Sequence, residues 1–418
     1  MISYQNSKKI LKKSIINIKD ENILSISSLN RVTSSNIYSK FNYPSGDNAA
    51  FDGYAINSND TNTIKKNNPK KFKIIGTIAA GNKPPKNKIK RFEAVEIMTG
   101  GIIPTGFDTI IPIEQIKYYP SSNKRKFILI DKKITKYNHV RFKGSDYKKN
   151  ELVIKKNTII QPNHILALKT LGIKKIKIKK KINILFFSTG NEISNKDNIE
   201  DWKVRNSNSH YINALKDNLL FNFKYGGILR DNHEKIFQSK IRKMLNSKID
   251  IIVTSGAVSA GKFDYVPSVI KKFKLSNYFK SVEIRPGKPI LFAKFKGKQK
   301  AIFGLPGNPM SSAACFRFFV YPYISNLLGL KDEQSLKAVL KNEFIKKKSL
   351  TRFAKSKINT TKNGKIEVEI LKGQESFRIK SFVKSNIWAL LPSGKSKFRK
   401  GEIIDCYIPN FPNQTLIL

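Results

Sequence analysis

The sequence predicts a multidomain α/β protein. A central, doubly wound parallel-sheet domain is accompanied by an N-terminal helical and extended domain, an inserted β-rich lobe and a C-terminal β-barrel-like domain. Three observations lead there. Residues 182–328 alternate apolar strand runs with helical ones, the rhythm of a parallel sheet covered on both faces. Residues 46–145 are short strand-like runs broken by Gly, Pro and Asn, the texture of a small sheet or barrel. Residues 335–418 turn strand-like again, in "KIEVEIL", "IWALLPSG" and "EIIDCYI". A length of 418 residues has room for about three domains.

From the N-terminus, "KKILKKSIINI" reads as a helix and "NILSISSLNRV" as short segments. Residues 1–45 together with 146–181 form a connector domain from which the 46–145 lobe emerges. In its second half, Val153 to Ile160 is strand-like, and Pro162 suits the first position of a helix, where a missing N–H costs nothing. The lobe contributes "YAINS", "KFKIIGTIAAG", "AVEIMTGG", "TIIPIEQI" and "KFILIDKKI" as strands. In the central domain the strands are "INILFFS", "FKYGGIL" and "IDIIVTS". Between them, Ile212, Leu215 and Leu219 share one helical face, and Phe237, Ile241, Met244 and Leu245 share another, with Asn232 as its N-cap.

Composition excludes several classes. No apolar run approaches the ~20 residues of a membrane span. The N-terminal segment lacks the apolar stretch of a signal peptide and the Arg of a transit peptide. Cys315 and Cys406 make neither a disulfide framework nor a zinc pattern, and the reading is cytoplasmic. The net charge of +49 comes almost wholly from Lys spread along the chain. Nucleic-acid readers lean on Arg and interleaved aromatics, and no such run is present. Specific nucleic-acid binding is not expected, although the charge favours anions generally.

Candidate chemistry begins at "VTSGAVSAGKFDY", residues 253–265, a glycine turn between a strand and a helix. A Walker A loop needs Ser or Thr after its Lys to reach Mg²⁺; Phe263 stands there, so a P-loop ATPase is not the reading. The bend can still hold a phosphate through its backbone N–H groups with Ser255 and Ser259, at a strand's carboxyl end where open α/β sheets bind ligands. "FFSTGNEI", "GGILRDN" and "GKFDY" follow three successive strands and carry Glu192, Asp231 and Asp264. A turn or cap role explains any one of these acids. Three on one rim point to Mg²⁺ bridging them to a phosphate anhydride. Two further turns add cations and donors: "EIRPGKPILF" with Arg285 and Lys288, and "FGLPGNPMSSAACF", which opens a helix with Ser311 and Ser312 in its first turn.

Taken in order, these stretches resemble the molybdopterin molybdenumtransferase family, which includes bacterial MoeA and the E domain of gephyrin. "GDNAAFDGYAI", "IMTGGIIPTGFDTIIPIEQ", "STGNEI", "TSGAVSAGKFDYV", "RPGKPILF" and "FGLPGNPMSSA" each look like a family motif, in the family's order, across nearly the whole chain. The resemblance implies a MogA-like α/β domain and insertion of molybdate into adenylylated molybdopterin, with Mg²⁺-assisted release of AMP. It also implies an elongated homodimer in which the α/β domain of one subunit faces the β-rich lobe of the other. A separate adenylyltransferase would supply the substrate. By motif, Asp52, Thr99, Glu192, Asp231 and Asp264 fall on functional positions. Glu192, Asp231 and Asp264 would handle metal and pyrophosphate, while Asp52 and Thr99 would reach in from the lobe. Ser255, Gly256, Ser259 and Gly261 would cradle the nucleotide, alongside Pro306 and Asn308. Arg285, Lys288 and Ser311 would take the molybdate oxyanion.

The chain departs from the family pattern at Ala257, Asn191, Asn206, Asn232 and Arg285. Ala257 replaces a glycine and would alter the turn if its φ is positive. These changes spare the three carboxylates, so activity is expected to be retained, if slower. The alternatives are a molybdopterin adenylyltransferase, which shares the α/β domain but lacks the lobe and tail, and a weakened or non-catalytic scaffold homologue.

Overall fold

The computed structural model describes residues 1–85, 88–216, 220–258 and 264–409. In the central domain the strands lie in the spatial order Phe221–Leu229, Ile182–Thr189, Ile251–Ser255, Ala301–Leu305, Leu291–Phe295, Leu275–Lys280. Ile, Val and Phe fill them almost without alternation because both faces are covered. On one face lie helices Ser207–Leu215 and Pro309–Cys315 with the N-terminal helix Tyr4–Lys13. Glu234–Leu245 and Val266–Lys271 cover the other.

The sheet is not parallel throughout. Its first four strands are, but Leu291–Phe295 runs antiparallel between Ala301–Leu305 and the edge strand Leu275–Lys280. The reason is the link after Phe295: residues 296–300 can close a hairpin, whereas a parallel return needs a crossover of about a dozen residues or more. Two smaller expectations also shift. The Glu234–Leu245 helix is capped by His233, not Asn232; His233 Nδ1 accepts the Arg230 N–H at 3.0 Å. The strand expected over Val153 to Ile160 stops at Ile154, because Asn157 turns the chain at φ +62°. Leu219 lies outside the described residues.

In the lobe, a six-stranded sheet runs Thr109–Pro112, Gly53–Ile56, Glu93–Ile97, Lys70–Ile78, Lys124–Ile130, Lys117–Ser121. Successive residues of Gly53–Ile56 feed opposite faces: Tyr54 and Ile56 join one apolar cluster, Ala55 the other. The C-terminal strands Thr351–Thr360, Ile366–Ile370, Leu336–Leu340, Ile403–Tyr407 and Ile387–Leu391 close into a barrel through the pairing of the first with the last. The short strand Ile284–Arg285 adds to Thr351–Arg352 from outside, so the "EIRPGKP" turn leaves the central sheet and docks on the barrel. A π turn over Phe316–Val320 buries Arg317, which donates to the Ile408 carbonyl at 2.7 Å and pairs with Glu333 at 2.5 Å.

Gly226 permits the close approach of two neighbouring strands. A Cβ there would lie 2.2 Å from the buried Phe187 ring. Gly226→Ala should therefore destabilise the protein by about 1–3 kcal/mol through overpacking, read as a lower urea midpoint; an unchanged midpoint contradicts this packing.

Candidate active site at the carboxyl edge of the sheet

The register fixes which loops meet. Thr189 lies beside Leu229, Ser188 beside Ser255, and Ser255 beside Leu305. The segments carrying Glu192, Asp231, Asp264 and the 306–309 turn all leave the same edge. Gly190 N–H donates to the Leu229 carbonyl at 3.0 Å and Gly256 N–H to the Leu305 carbonyl at 2.8 Å.

Arg230 braces the first two loops. Its Nη1 donates to the carbonyls of Gly190, Asn191 and Ile193 at 3.2, 3.0 and 2.9 Å. Asn191 Oδ1 accepts the Asp231 N–H at 3.2 Å, so the residue that departs from the family pattern ties these loops together. Glu192 is exposed, and its carboxylate folds back over Gly190, where a Cβ would lie 2.3 Å from Oε2. Asp231 and Asp264 are half-buried, and Asp231's charge bears on Tyr265, the neighbour of Asp264. Among the described residues, no three His, Cys, Asp or Glu side chains gather closely enough to hold a metal ion by themselves.

The glycine bend is held from beneath. Thr189 Oγ1 donates to the Ser255 carbonyl at 2.9 Å, and Ser255 Oγ donates to the Pro306 carbonyl at 3.4 Å. Asn208 Nδ2 donates to Ser255 Oγ at 2.6 Å and to the Gly307 carbonyl at 2.8 Å, stapling the bend to the 306–309 turn. Sequence reasoning missed Asn208; its one signal was a polar cluster opening a helix. Gly256 has φ +101°, and a Cβ would lie 2.6 Å from the Thr189 carbonyl oxygen, so glycine is required there. Ala257 has φ +53°, the positive value its replacement of glycine put in question. Ser259 and Gly261 lie outside the described residues.

Asn206 is 6% exposed and uses its whole amide. Its Oδ1 accepts from Ser188 Oγ at 2.8 Å, and its Nδ2 donates to Asn195 Oδ1 at 2.8 Å and to the Tyr225 hydroxyl at 2.9 Å. An aspartate could not make the two donations.

The cationic groups divide. Arg285 lines a cavity of about 190 Å³ with Lys346, Lys347, Arg352, Gln374 and Glu375. Burial and then Arg285's charge depress Arg352 to about 10, and its buried Nε has no partner. Lys355, 2% exposed, is lowered to about 8 by burial and then by Arg352. Lys288 is exposed and Ser311 buried, and neither lines this cavity. Gly287 seats the turn on the Pro309–Cys315 helix, since a Cβ would lie 2.3 Å from Cys315 Sγ. Asn308 Nδ2 donates to Ser376 Oγ at 3.2 Å and so reaches the barrel.

Asp52 and Thr99 form a pair on the lobe. Asp52 Oδ1 accepts the Thr99 hydroxyl at 2.7 Å and its N–H at 2.6 Å, which hold the carboxyl below its usual range, the hydroxyl more strongly. Their hydrogen bonds among the described residues stay within the lobe.

Comparison with known proteins decides the relationship. Family models match end to end: the MoeA N-terminal region (domain I and II) over residues 2–172, a probable molybdopterin binding domain over 186–326, and the MoeA C-terminal region (domain IV) over 337–408. The chain belongs to the molybdopterin molybdenumtransferase family. A molybdopterin molybdenumtransferase of Staphylococcus aureus strain COL is 32% identical over 382 residues, 90% of this chain and 88% of that one. The Staphylococcus epidermidis ATCC 12228 protein of the same name is 30% identical over 407 residues, covering 97% and 94%. The crystal structure of a molybdopterin biosynthesis moeA protein from Pyrococcus horikoshii OT3 superposes with a TM-score of 0.82 at 26% identity, covering 98% of this chain and all of that one.

Two substitutions test the departures from the family's pattern. Asn206→Asp should lower stability by about 2 kcal/mol at neutral pH, because a buried carboxylate would lose two donations and face Asn195 Oδ1; an unshifted denaturation midpoint contradicts this. Ala257→Gly should raise the midpoint, because relief of about 1–2 kcal/mol of left-handed strain exceeds the added chain entropy. A lower midpoint would show that the alanine is not strained.

Proposed function

We propose that the protein transfers molybdenum from molybdate to adenylylated molybdopterin with release of AMP, a step of molybdenum cofactor biosynthesis. The observation that carries this reading is the meeting of four loops at one sheet edge, in a chain that belongs to this family along its length. Ser255, Gly256, Pro306 and the Asn208 staple form the floor for the nucleotide, and Ser259 and Gly261 are assigned to the same ligand. Arg285, which is exposed, and the buried Arg352 line a cavity whose positive charge suits an oxyanion, with the buried Lys355 on the same barrel strand as Arg352. Lys288, Asn308 and Ser311 belong to the neighbouring turns and are assigned to the same ligand.

Asp231, Asp264 and Glu192 are hard oxygen donors, the kind Mg²⁺ takes. The ion is commonly held by one or two carboxylates plus substrate phosphates, so an incomplete protein set suits an ion that arrives with an anhydride. Bound there, Mg²⁺ would supply charge stabilisation at the pyrophosphate oxygens. The protein's own part is positioning. The bend orients the adenylyl phosphate, and the cationic cavity presents molybdate to the dithiolene. Water attacks the adenylyl phosphorus, the P–O bond to the pterin phosphate breaks, and AMP leaves carrying the water's oxygen; the two dithiolene sulfurs bond to molybdenum while one molybdate oxygen leaves as water with the two thiol protons.

Asp52 and Thr99 are assigned to this site from the lobe of a second copy, in a homodimer. The proposed domains are 1–45 with 146–181, 46–145, 182–328 and 335–418. The site is placed in the cytoplasm, where a separate adenylyltransferase would make the substrate. Among the described residues, no helix is long and apolar enough to cross a membrane.

Incubation with adenylylated molybdopterin, molybdate and Mg²⁺ should give molybdate-dependent AMP release. Asp264→Ala or Glu192→Ala should lower it by about 100-fold or more, on the scale of losing a group that acts on developing charge. Full turnover in both variants would remove the metal assignment. No AMP release from the unsubstituted protein would remove the function.

A further inference from the structure

We propose that Trp202 is the platform on which the adenine ring of the substrate stacks. This rests on the function proposed above and adds where the nucleotide base lies. Trp202 is 67% exposed, whereas the chain's other tryptophan, Trp388, is 1% exposed in the core. The segment that carries it is pinned. Val204–Arg205, which follows closely, pairs in parallel with Ile193–Ser194, just beyond Glu192. Val204 N–H donates to the Glu192 carbonyl at 2.8 Å, and Arg205 Nε to the Asp197 carbonyl at 3.0 Å. Lys203 then fastens the indole to the site edge: its Nζ donates to the Asn191 carbonyl at 2.9 Å and lies 4.0 Å from the centroid of the Trp202 ring. Asn191 is the residue that ties the Glu192 loop to the Asp231 loop. The indole therefore stands two contacts from the peptide that joins the carboxylate loops, with an ammonium against its ring and most of its surface open to water.

Position along the edge selects the adenine. In the sheet, Ile182–Thr189 and Ala301–Leu305 flank Ile251–Ser255 on opposite sides. The loop that carries Trp202 follows the first of these strands. The 306–309 turn, which reaches the barrel through Asn308 and Ser376, follows the second. Adenylylated molybdopterin has the same linear order: adenine at one end, phosphates between, dithiolene at the other. With the phosphates over the glycine bend and the dithiolene toward the cationic cavity, the adenine falls on the Trp202 side. A rigidly held, water-exposed indole offers a purine a broad apolar face at little entropic cost, and base–aromatic stacking needs no matched hydrogen bonds.

Two tryptophans of opposite exposure give the test its signal. In the full chain with Mg²⁺, AMP should quench the emission of the exposed indole, and ribose 5-phosphate, which lacks the base, should not. Trp202→Phe keeps a ring but removes that emission, leaving Trp388 as the background. By calorimetry, Trp202→Ala should weaken AMP binding by about tenfold, and Trp202→Phe should restore most of it. The unfolding midpoint should be the same in all three proteins. With adenylylated molybdopterin, Trp202→Ala should raise KM and leave kcat unchanged, the mark of binding that is equal in ground and transition states. AMP affinity of Trp202→Ala within about twofold of the unsubstituted protein, or quenching by ribose 5-phosphate as deep as by AMP, overturns the proposal. If the unsubstituted protein binds no AMP, the function proposed above falls and this assignment with it.

Discussion

Parallel pairing of the strands that end at Thr189, Leu229, Ser255 and Leu305 sends four chain reversals out of one edge of the sheet. Parallel strands share a direction, so every loop after a strand's carboxyl end opens toward the same side. Glu192, Asp231 and Asp264 are therefore neighbours by topology before any side chain is considered. Arg230, Asn191 and Asn208 then convert proximity into a fixed arrangement, because each bonds across from one loop to the next. The central Ile, Val and Phe strands have no other obvious way to present so many polar groups together.

The two edge strands serve a different end. The link between Leu275–Lys280 and the antiparallel Leu291–Phe295 leaves the sheet and carries Ile284–Arg285, which joins the barrel strand Thr351–Thr360. Arg285 thereby comes close enough to Arg352 to depress it, and Lys355 is depressed in turn. Burying like charges together is costly unless an anion compensates. Lys355 Nζ donates to the carbonyls of Glu375 and Arg378, Arg352 Nη2 donates to the Gln374 carbonyl, and the Glu375 carboxylate in the same cavity offsets part of the positive charge. The carboxylate edge offers oxygen ligands to a cation, and the cavity offers its remaining positive charge to an oxyanion.

Much of this was legible in the sequence because periodicity and strand ends are local properties. "INILFFS" and "IDIIVTS" announced buried strands, and the acids after them followed from chain order. At Ala257 the sequence posed only a condition, an altered turn if φ is positive, and the sign came from the structure. Arg352, Lys355 and Asn208 were not legible, because their roles arise from contacts between segments distant in sequence. Arg352 lies on a barrel strand whose partner is a two-residue extension of another domain. The cap on Glu234–Leu245 moved by one residue because His233 finds the Arg230 N–H, a choice made by loop geometry.

The central claim is that the lobe pair and the sheet edge act in one site, supplied by two copies of the chain. Co-expression of Asp52→Ala and Asp264→Ala chains, each inactive alone, tests it most directly. If the site spans two subunits, each mixed dimer contains one site with both residues intact, and AMP release should return to about a quarter of the unsubstituted level for random pairing of a two-fold dimer. If mixed dimers form and release no AMP, Asp52 and Asp264 do not meet across subunits, and the account is contradicted.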